Sequence, residues 1–167
     1  MKRPGSLKAR ALQWLAQREH SRFELRRKLL SHARLSAAES AAYDDSPVDP
    51  ENEVEAVLEW LEANRFLSVE RFAESRINAR LARFGNVRIR HELGRHEIRL
   101  APEAEQALRD SELARARTAR RRRFSEAPLD ARTRARQARF LAARGFSSEV
   151  IRRVLRDVAG ATGIDEV

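Results

Sequence analysis

Apolar residues recur along most of the chain at the three- and four-residue spacing of helices that bury one face. Leu7, Ala11 and Leu15 begin the first such run, and Ser21 with Glu24 forms a capping box that starts the next. The predicted helices cover 7–17, a segment from Ser21 through Leu29, 52–64, 69–83, a segment with Ile89 and Leu93, a short one from Pro102, 110–123, about 129–144 and about 147–157. Almost nothing is typical of a strand, so we expect an all-α fold.

The pattern lapses between Ser31 and Pro50, which predicts a long surface loop. From Glu39 to Glu62 the chain has nine carboxylates and no Lys or Arg. This acidic stretch is either a solvated loop and helix face or a flap that competes for the protein's own basic face. The sequence leaves both interpretations open.

Three segments repeat one pattern, in which a basic helix ending in Leu precedes a second helix. That second helix has an apolar residue, two variable positions, a small or branched residue and then Leu. The basic helices end at Leu29, Leu93 and Leu141, and each has a further helix in front of it. We therefore predict three tandem three-helix repeats that stack into an elongated, curved rod. The predicted domains are 1–66 with an acidic insert at 31–50, 67–109, 110–158, and a flexible C-terminal tail at 159–167.

Composition narrows the function classes. The 167 residues carry 34 Lys and Arg against 25 Asp and Glu, a formal charge of +9, and no Cys. The absence of Cys excludes disulfides, iron–sulfur clusters, thiolate metal sites and a Cys nucleophile. No apolar stretch approaches the roughly 20 residues of a membrane span, so we expect no membrane partner and a cytoplasmic protein. Strong basicity points to a polyanionic partner or an acidic protein surface.

The positive charge is concentrated in a few segments. Residues 109–139 hold eleven Arg and four acidic residues. Guanidinium groups pair bidentately with phosphates and carboxylates, so these clusters suit a DNA backbone or an acidic subunit surface, although solvated helix faces would show the same pattern. The candidate binding residues are Arg22, Arg26, Arg27, Arg88, Arg90, Arg95, Arg120, Arg121, Arg122, Arg123, Arg132, Arg136 and Arg139.

Signs of catalysis are weak. His91 and His96 are five residues apart, off the spacing that places two metal ligands on one helix face, and no glycine-rich phosphate loop or GxSxG motif is present. We expect no catalytic residues, no metal and no cofactor. We also expect the aromatic side chains to pack in the core: Phe23, Phe66, Phe72, Phe140 and Phe146. DNA contacts should then be made mainly to phosphates and be weak and strongly salt-dependent.

Several motifs resemble one known family. The run from Arg71-Phe72-Ala73-Glu74 through Arg80-Leu-Ala-Arg-Phe-Gly85 to Glu92-Leu93 is similar to the central signature of the RecX regulatory proteins. Residues 18–29 and 140–147 resemble the N-terminal and C-terminal motifs of that family. The match covers about residues 7–157. Two segments depart from the pattern: the 31–50 insert, and His96-Glu97-Ile98 in place of a basic-Gly-apolar turn.

The resemblance implies a non-enzymatic regulator of the RecA recombinase. Such proteins lie in the groove of the RecA–DNA filament and usually inhibit strand exchange, ATP hydrolysis and the coprotease activity that drives the SOS response. We therefore expect the RecA filament and the phosphate backbone of single- or double-stranded DNA as partners of a monomeric chain. The alternative is a stand-alone basic helical regulator that binds duplex DNA without RecA, because basic helices joined by tight turns also suit helix-turn-helix units.

Overall fold

A computed structural model describes residues 6–40, 49–128 and 130–161 of the chain. Within these ranges it contains eight α-helices and no β-strand, which confirms the all-α prediction for this part of the protein. The helices are α1 (Leu7–Leu15), α2 (Arg22–Ser40), α3 (Pro50–Ala63), α4 (Val69–Leu81), α5 (Asn86–Gly94), α6 (Pro102–Arg121), α7 (Ala131–Ala143) and α8 (Ser148–Ala161).

The chain divides into two compact units, Met1–Ser75 and Arg76–Val167, with the boundary inside α4. The division into three repeats stays a prediction. α8 continues to Ala161, past the predicted start of the tail at 159, because its apolar spacing carries on through Val158. The remainder of the predicted tail lies outside the described residues.

The first unit is built on α1, α2 and α3. Leu25 and Leu29 of α2 are completely buried against Leu58 and Leu61 of α3, and Ala11 of α1 completes this core. Burial of each such leucine contributes about 1.5–3 kcal/mol to folding. Local capping fixes where the helices begin: the Ser21 hydroxyl accepts from the backbone N–H of Glu24 at 3.0 Å, as the capping box predicts.

The predicted loop at 31–50 is wrong over its first ten residues. α2 runs on to Ser40, since residues 31–40 contain no Gly or Pro, and Ala33 is buried with Leu30 in the first core. Residues 41–48 of the predicted insert lie outside the described part of the chain. α3 then begins at Pro50, with the Asp49 side chain accepting from the backbone N–H of Glu51 at 3.0 Å.

In the second unit, α6 replaces two predicted helices. We predicted a short helix from Pro102 and a separate one over 110–123, but a single helix covers Pro102–Arg121. No helix-breaking residue lies between Leu108 and Ala116, and both are buried on the same face of α6 as Glu112. The predicted boundary between the second and third repeats at 109/110 therefore falls within a continuous helix.

α5 and α7 end in the same way. The backbone N–H of Ile98 donates to the carbonyl of Leu93 at 3.1 Å, and that of Phe146 donates to the carbonyl of Leu141 at 3.2 Å. A hydrogen bond from one residue to the carbonyl five positions earlier is typical of helices that end on a left-handed residue. That residue is Gly145 (φ 77°) after α7 and Glu97 (φ 61°) after α5. The departure at His96-Glu97-Ile98 thus keeps the turn and loses only its glycine.

The beginning of α5 lies directly against the end of α7. The backbone N–H of Gly85 donates to the carbonyl of Arg144 at 2.9 Å, and the N–H of Val87 donates to that of Gly145 at 3.0 Å. A Cβ added at Gly85 would lie 2.3 Å from the Gly145 carbonyl oxygen. Only glycine allows the two backbones to approach this closely.

The expectation that five phenylalanines are core residues holds in part. Phe72 and Phe146 are buried, and Phe140 is half-buried. The expectation is wrong for Phe23 and Phe66, which remain 41% and 45% exposed. Phe66 instead stacks on Trp60 at the surface, with ring centroids 5.5 Å apart.

Candidate partner-binding surface

In the first unit, acidic residues of α3 neutralise arginines of α2. Arg22 contacts Glu55 at 2.6 Å and Glu62 at 2.7 Å, and Arg26 hydrogen-bonds Glu55. The hydrogen bond from Arg26 lowers the pKa of the Glu55 carboxyl. The helical part of the acidic stretch therefore covers part of the chain's own basic face, as one of the two interpretations proposed. Arg27 is exposed and makes no ion pair with a described carboxylate.

The candidate arginines of α5 fall on two faces. Arg90 forms an ion pair with Glu105 of α6. Arg88 and Arg95, the C-cap of α5, are seven residues apart, so they share the other face. Neither makes an ion pair with any carboxylate in the described ranges. Arg88 instead lies over the ring of Phe84, with its guanidinium carbon 4.2 Å from the ring centroid.

Arg88 and Arg95 line an open groove of about 780 Å³, which we call the basic groove. Its lining also includes Arg76, Arg80, His91, Glu92 and His96, with Ala142, Ala143 and Gly145 along the opposite side. Glu92 accepts from Arg80 at 2.8 Å and lies 3.7 Å from Arg76. The hydrogen bond from Arg80 lowers the pKa of the Glu92 carboxyl. One carboxylate therefore faces four guanidinium groups, and the groove keeps a net positive charge.

A second basic surface follows the exposed side of α7. Arg132, Arg136 and Arg139 are spaced by four and three residues, so they lie on one face of the helix, and all three are exposed. None of them forms an ion pair with a described carboxylate. Arg121, Arg122 and Arg123 are likewise exposed, at the end of α6.

Arg120 differs from its neighbours because it is buried, with 5% of its surface exposed. Its Nε donates to Oε1 of Gln137 at 2.9 Å, and Nη2 donates to the carbonyl of Glu126. Burial lowers the pKa of this guanidinium. Arg120 thus joins α6 to α7 from inside and does not reach the outer surface with the other candidate arginines.

Sequence reasoning missed a buried polar cluster that joins α6 to the starts of α5 and α8. The Glu112 carboxylate accepts from the backbone N–H groups of Asn86 and Ser147, while Arg115 donates to the Phe84 carbonyl at 2.7 Å and to Asn86 Oδ1 at 2.5 Å. Burial lowers the pKa of Arg115. The position of Glu112 between Leu108 and Ala116 at four-residue spacing was the available signal that this carboxylate faces inward.

Two further observations concern other kinds of site. Over the described ranges, no three His, Cys, Asp or Glu side chains converge as metal ligands would. The same part of the chain has no helix that is both long and apolar enough to span a membrane.

Over its described ranges the protein is helical and has an arginine-rich surface, which suits a helical protein that binds an anionic partner. The family model described as RecX, third three-helix domain, matches residues 110–155. The chain is 44% identical to Regulatory protein RecX of Ralstonia nicotianae, over 93% of this chain and 89% of the relative. It is 50% identical to the protein of the same name from Leptothrix cholodnii, over 90% and 88% of the two chains.

A more distant relative from Pseudomonas entomophila, also called Regulatory protein RecX, is 38% identical over 91% of both chains. The chain belongs to the RecX family of regulatory proteins. The resemblance drawn from residues 18–29, 71–93 and 140–147 is thereby confirmed.

Proposed function

We propose that this chain binds the RecA–DNA filament in its groove and inhibits strand exchange, ATP hydrolysis and coprotease activity, as a cytoplasmic modulator of DNA repair and the SOS response. The family supplies the class of protein. The observation that carries the proposal concerns the predicted candidate arginines of the second unit that are exposed and have no described carboxylate partner: Arg88, Arg95, Arg121, Arg122, Arg123, Arg132, Arg136 and Arg139.

The contrast with the first unit supports a choice among the candidate arginines. Arg22 and Arg26 would have to give up contacts with Glu55 before they could meet an external anion. Arg88 and Arg95 have no such contact to break, so their charge is available to a partner. We therefore place the main binding surface on the basic groove and the exposed face of α7, with Arg27 as the accessible candidate of the first unit.

The chemistry of this surface suits two anionic components of a nucleoprotein filament. Guanidinium groups form bidentate contacts with DNA phosphates and with carboxylates on a protein subunit. A chain that contacts several filament subunits at once would resist the subunit motions coupled to ATP turnover and would exclude a second duplex. Because the contacts are charge-assisted and exposed, the affinity should fall steeply as salt is raised.

The test is strand exchange by RecA in the presence of a stoichiometric excess of the purified protein at low salt. The proposal expects inhibition that weakens as the salt concentration rises. Normal strand exchange under these conditions would contradict it. Sequence-dependent binding to a duplex site without RecA would favour the stand-alone DNA regulator instead.

A further inference from the structure

The end of α6 and the middle of α7 form a second, smaller concavity, which we call the Phe124 cleft. Its volume is about 350 Å³, within the roughly 300–1,000 Å³ of small-ligand pockets. Phe124 and Phe140 line it with their rings edge to face, centroids 5.2 Å apart. The guanidinium groups of Arg123 and Arg136 lie 5.6 and 5.4 Å from the Phe124 centroid.

A buried charge lies directly behind the wall of this cleft. Arg120 is hydrogen-bonded to Gln137 and to the Glu126 carbonyl, both of which belong to cleft-lining residues. These acceptors are neutral, and no described carboxylate forms an ion pair with Arg120. A buried cation without an anionic partner is costly, so an anion bound in the cleft would be stabilised by this guanidinium as well as by the two at the rim.

The side chains of the Phe124 cleft combine positive charge with aromatic rings. Gln137 is completely buried, and its Nε2 donates to the Glu126 carbonyl at 3.1 Å, so α7 is hydrogen-bonded to the segment that follows α6. The Glu126 carboxylate is exposed at the edge of the cleft and makes no ion pair with a described cation. Three guanidinium groups therefore oppose one carboxylate beside two half-buried phenyl rings. Arginines beside aromatic rings are typical of sites for single-stranded nucleic acid, where phosphates and unstacked bases are bound together.

We propose that the Phe124 cleft binds one nucleotide of a single-stranded DNA segment, with its phosphate between Arg123 and Arg136 and its base against Phe124. This subsite deepens the proposed function and rests on it for the source of the strand, which is the DNA of the filament. An acidic peptide would satisfy the charges but would make no use of the aromatic rings.

The test is fluorescence anisotropy of a labelled oligothymidylate with the full chain and no RecA. Arg136→Gln should weaken binding about tenfold, the loss expected when a phosphate contact supported by stacking is removed. Arg134→Gln is the matched control, because Arg134 is exposed on the same helix but does not line the cleft. It should change the affinity by no more than about twofold. Arg123→Gln serves in place of Arg136→Gln if that variant has lost its thermal unfolding transition.

A second pair of measurements separates the base from the phosphate. Phe124→Leu keeps the apolar bulk of the side chain and should weaken binding to oligothymidylate but not to an abasic oligonucleotide of equal length. Equal losses for Arg136→Gln and Arg134→Gln would overturn the subsite, as would equal effects of Phe124→Leu on both oligonucleotides. A competition experiment compares polyglutamate with the abasic oligonucleotide at equal concentrations of negative charge. If polyglutamate displaces the oligothymidylate more effectively, the subsite is also overturned. The oligonucleotide assay contains no RecA, so it tests the subsite separately from the proposed function. Failure of the chain to bind filaments would contradict the proposed function, and the oligonucleotide results would still decide the subsite.

Discussion

The carboxylate of Glu112 accepts a hydrogen bond from the backbone N–H of Asn86, 2.9 Å away in the interior of the second unit. The same oxygen accepts from the backbone N–H of Ser147 at 3.1 Å, and the other oxygen accepts from the Ser147 hydroxyl. Asn86 begins α5 and Ser147 immediately precedes α8. One side chain of α6 therefore contacts the starts of two other helices. Backbone N–H groups at the start of a helix have no partner within that helix, so they attract a negative charge.

Replacement of this carboxylate should destabilise the protein strongly. Glu112→Leu would leave two backbone N–H groups and the Ser147 hydroxyl without their acceptor, which we expect to cost about 3 kcal/mol of unfolding free energy. Glu103→Leu is the matched control, since Glu103 is exposed in the first turn of the same helix. Urea unfolding measures both. Equal stability of the two variants would show that the Glu112 contacts contribute little.

The close approach of α5 and α7 gives a second prediction. Gly85→Ala places a Cβ 2.3 Å from the Gly145 carbonyl oxygen, so the two helix ends must separate, and we expect a loss of about 2–3 kcal/mol. Gly94→Ala is the control, because an added Cβ there meets nothing within 4 Å. In a helix that exchange should be neutral or stabilising by up to about 1 kcal/mol. Thermal unfolding of both variants measures the loss of stability. An unchanged unfolding midpoint for Gly85→Ala would refute the predicted clash.

The turn after α5 should gain stability from a glycine. Glu97 has φ of 61°, a conformation that costs a non-glycine residue about 1 kcal/mol, whereas the corresponding residue after α7 is Gly145. Glu97→Gly should therefore raise the unfolding free energy by several tenths of a kcal/mol, after the added flexibility of the unfolded chain is subtracted. A decrease in the midpoint of thermal unfolding would mean that the Glu97 side chain makes a larger contribution than its backbone strain removes.

Acid should weaken the first unit through Glu24. A hydrogen bond from Arg18 lowers the pKa of the Glu24 carboxyl from 4.5 to about 2, with burial opposing and the charges of Arg18, His20 and Lys28 assisting. Because the folded pKa lies below the unfolded one, this stabilisation is complete above about pH 4.5 and is lost as the pH falls toward 2. Unfolding free energies measured over this range should fall less steeply for Glu24→Gln than for the unmodified protein. Identical slopes would contradict the assignment.

The sequence predicted the helical class and most helix starts, because these depend on local apolar spacing and capping. It predicted the family from the motifs at 18–29, 71–93 and 140–147. The Ser21–Glu24 cap is an example in which two residues three positions apart carry the whole signal. Local sequence patterns could not predict that Glu55 would pair with Arg22 and Arg26. These arginines lie 33 and 29 positions before Glu55, and they meet it only when α2 packs on α3. The burial of Arg120 beside exposed Arg121 has the same origin: packing against Gln137 selects one arginine of the run.

The difference between paired and unpaired arginines predicts which substitutions reduce partner binding. Arg95→Gln removes an exposed charge from the basic groove, whereas Arg90→Gln removes one that pairs with Glu105 of α6. On filaments, Arg95→Gln should lower the affinity several-fold and reduce the slope of log K against log salt by about one. Arg90→Gln should have a smaller effect on both quantities. A larger effect of Arg90→Gln would place the interface on the opposite face of α5.

The central claim is that the chain recognises the filament and not merely its DNA. The direct measurement is co-sedimentation or anisotropy binding to RecA–single-stranded DNA filaments formed with a non-hydrolysable ATP analogue, compared with free RecA and with the same DNA alone. The account predicts clear preference for the filament over both components at equal salt. Equal or tighter binding to naked DNA would contradict it.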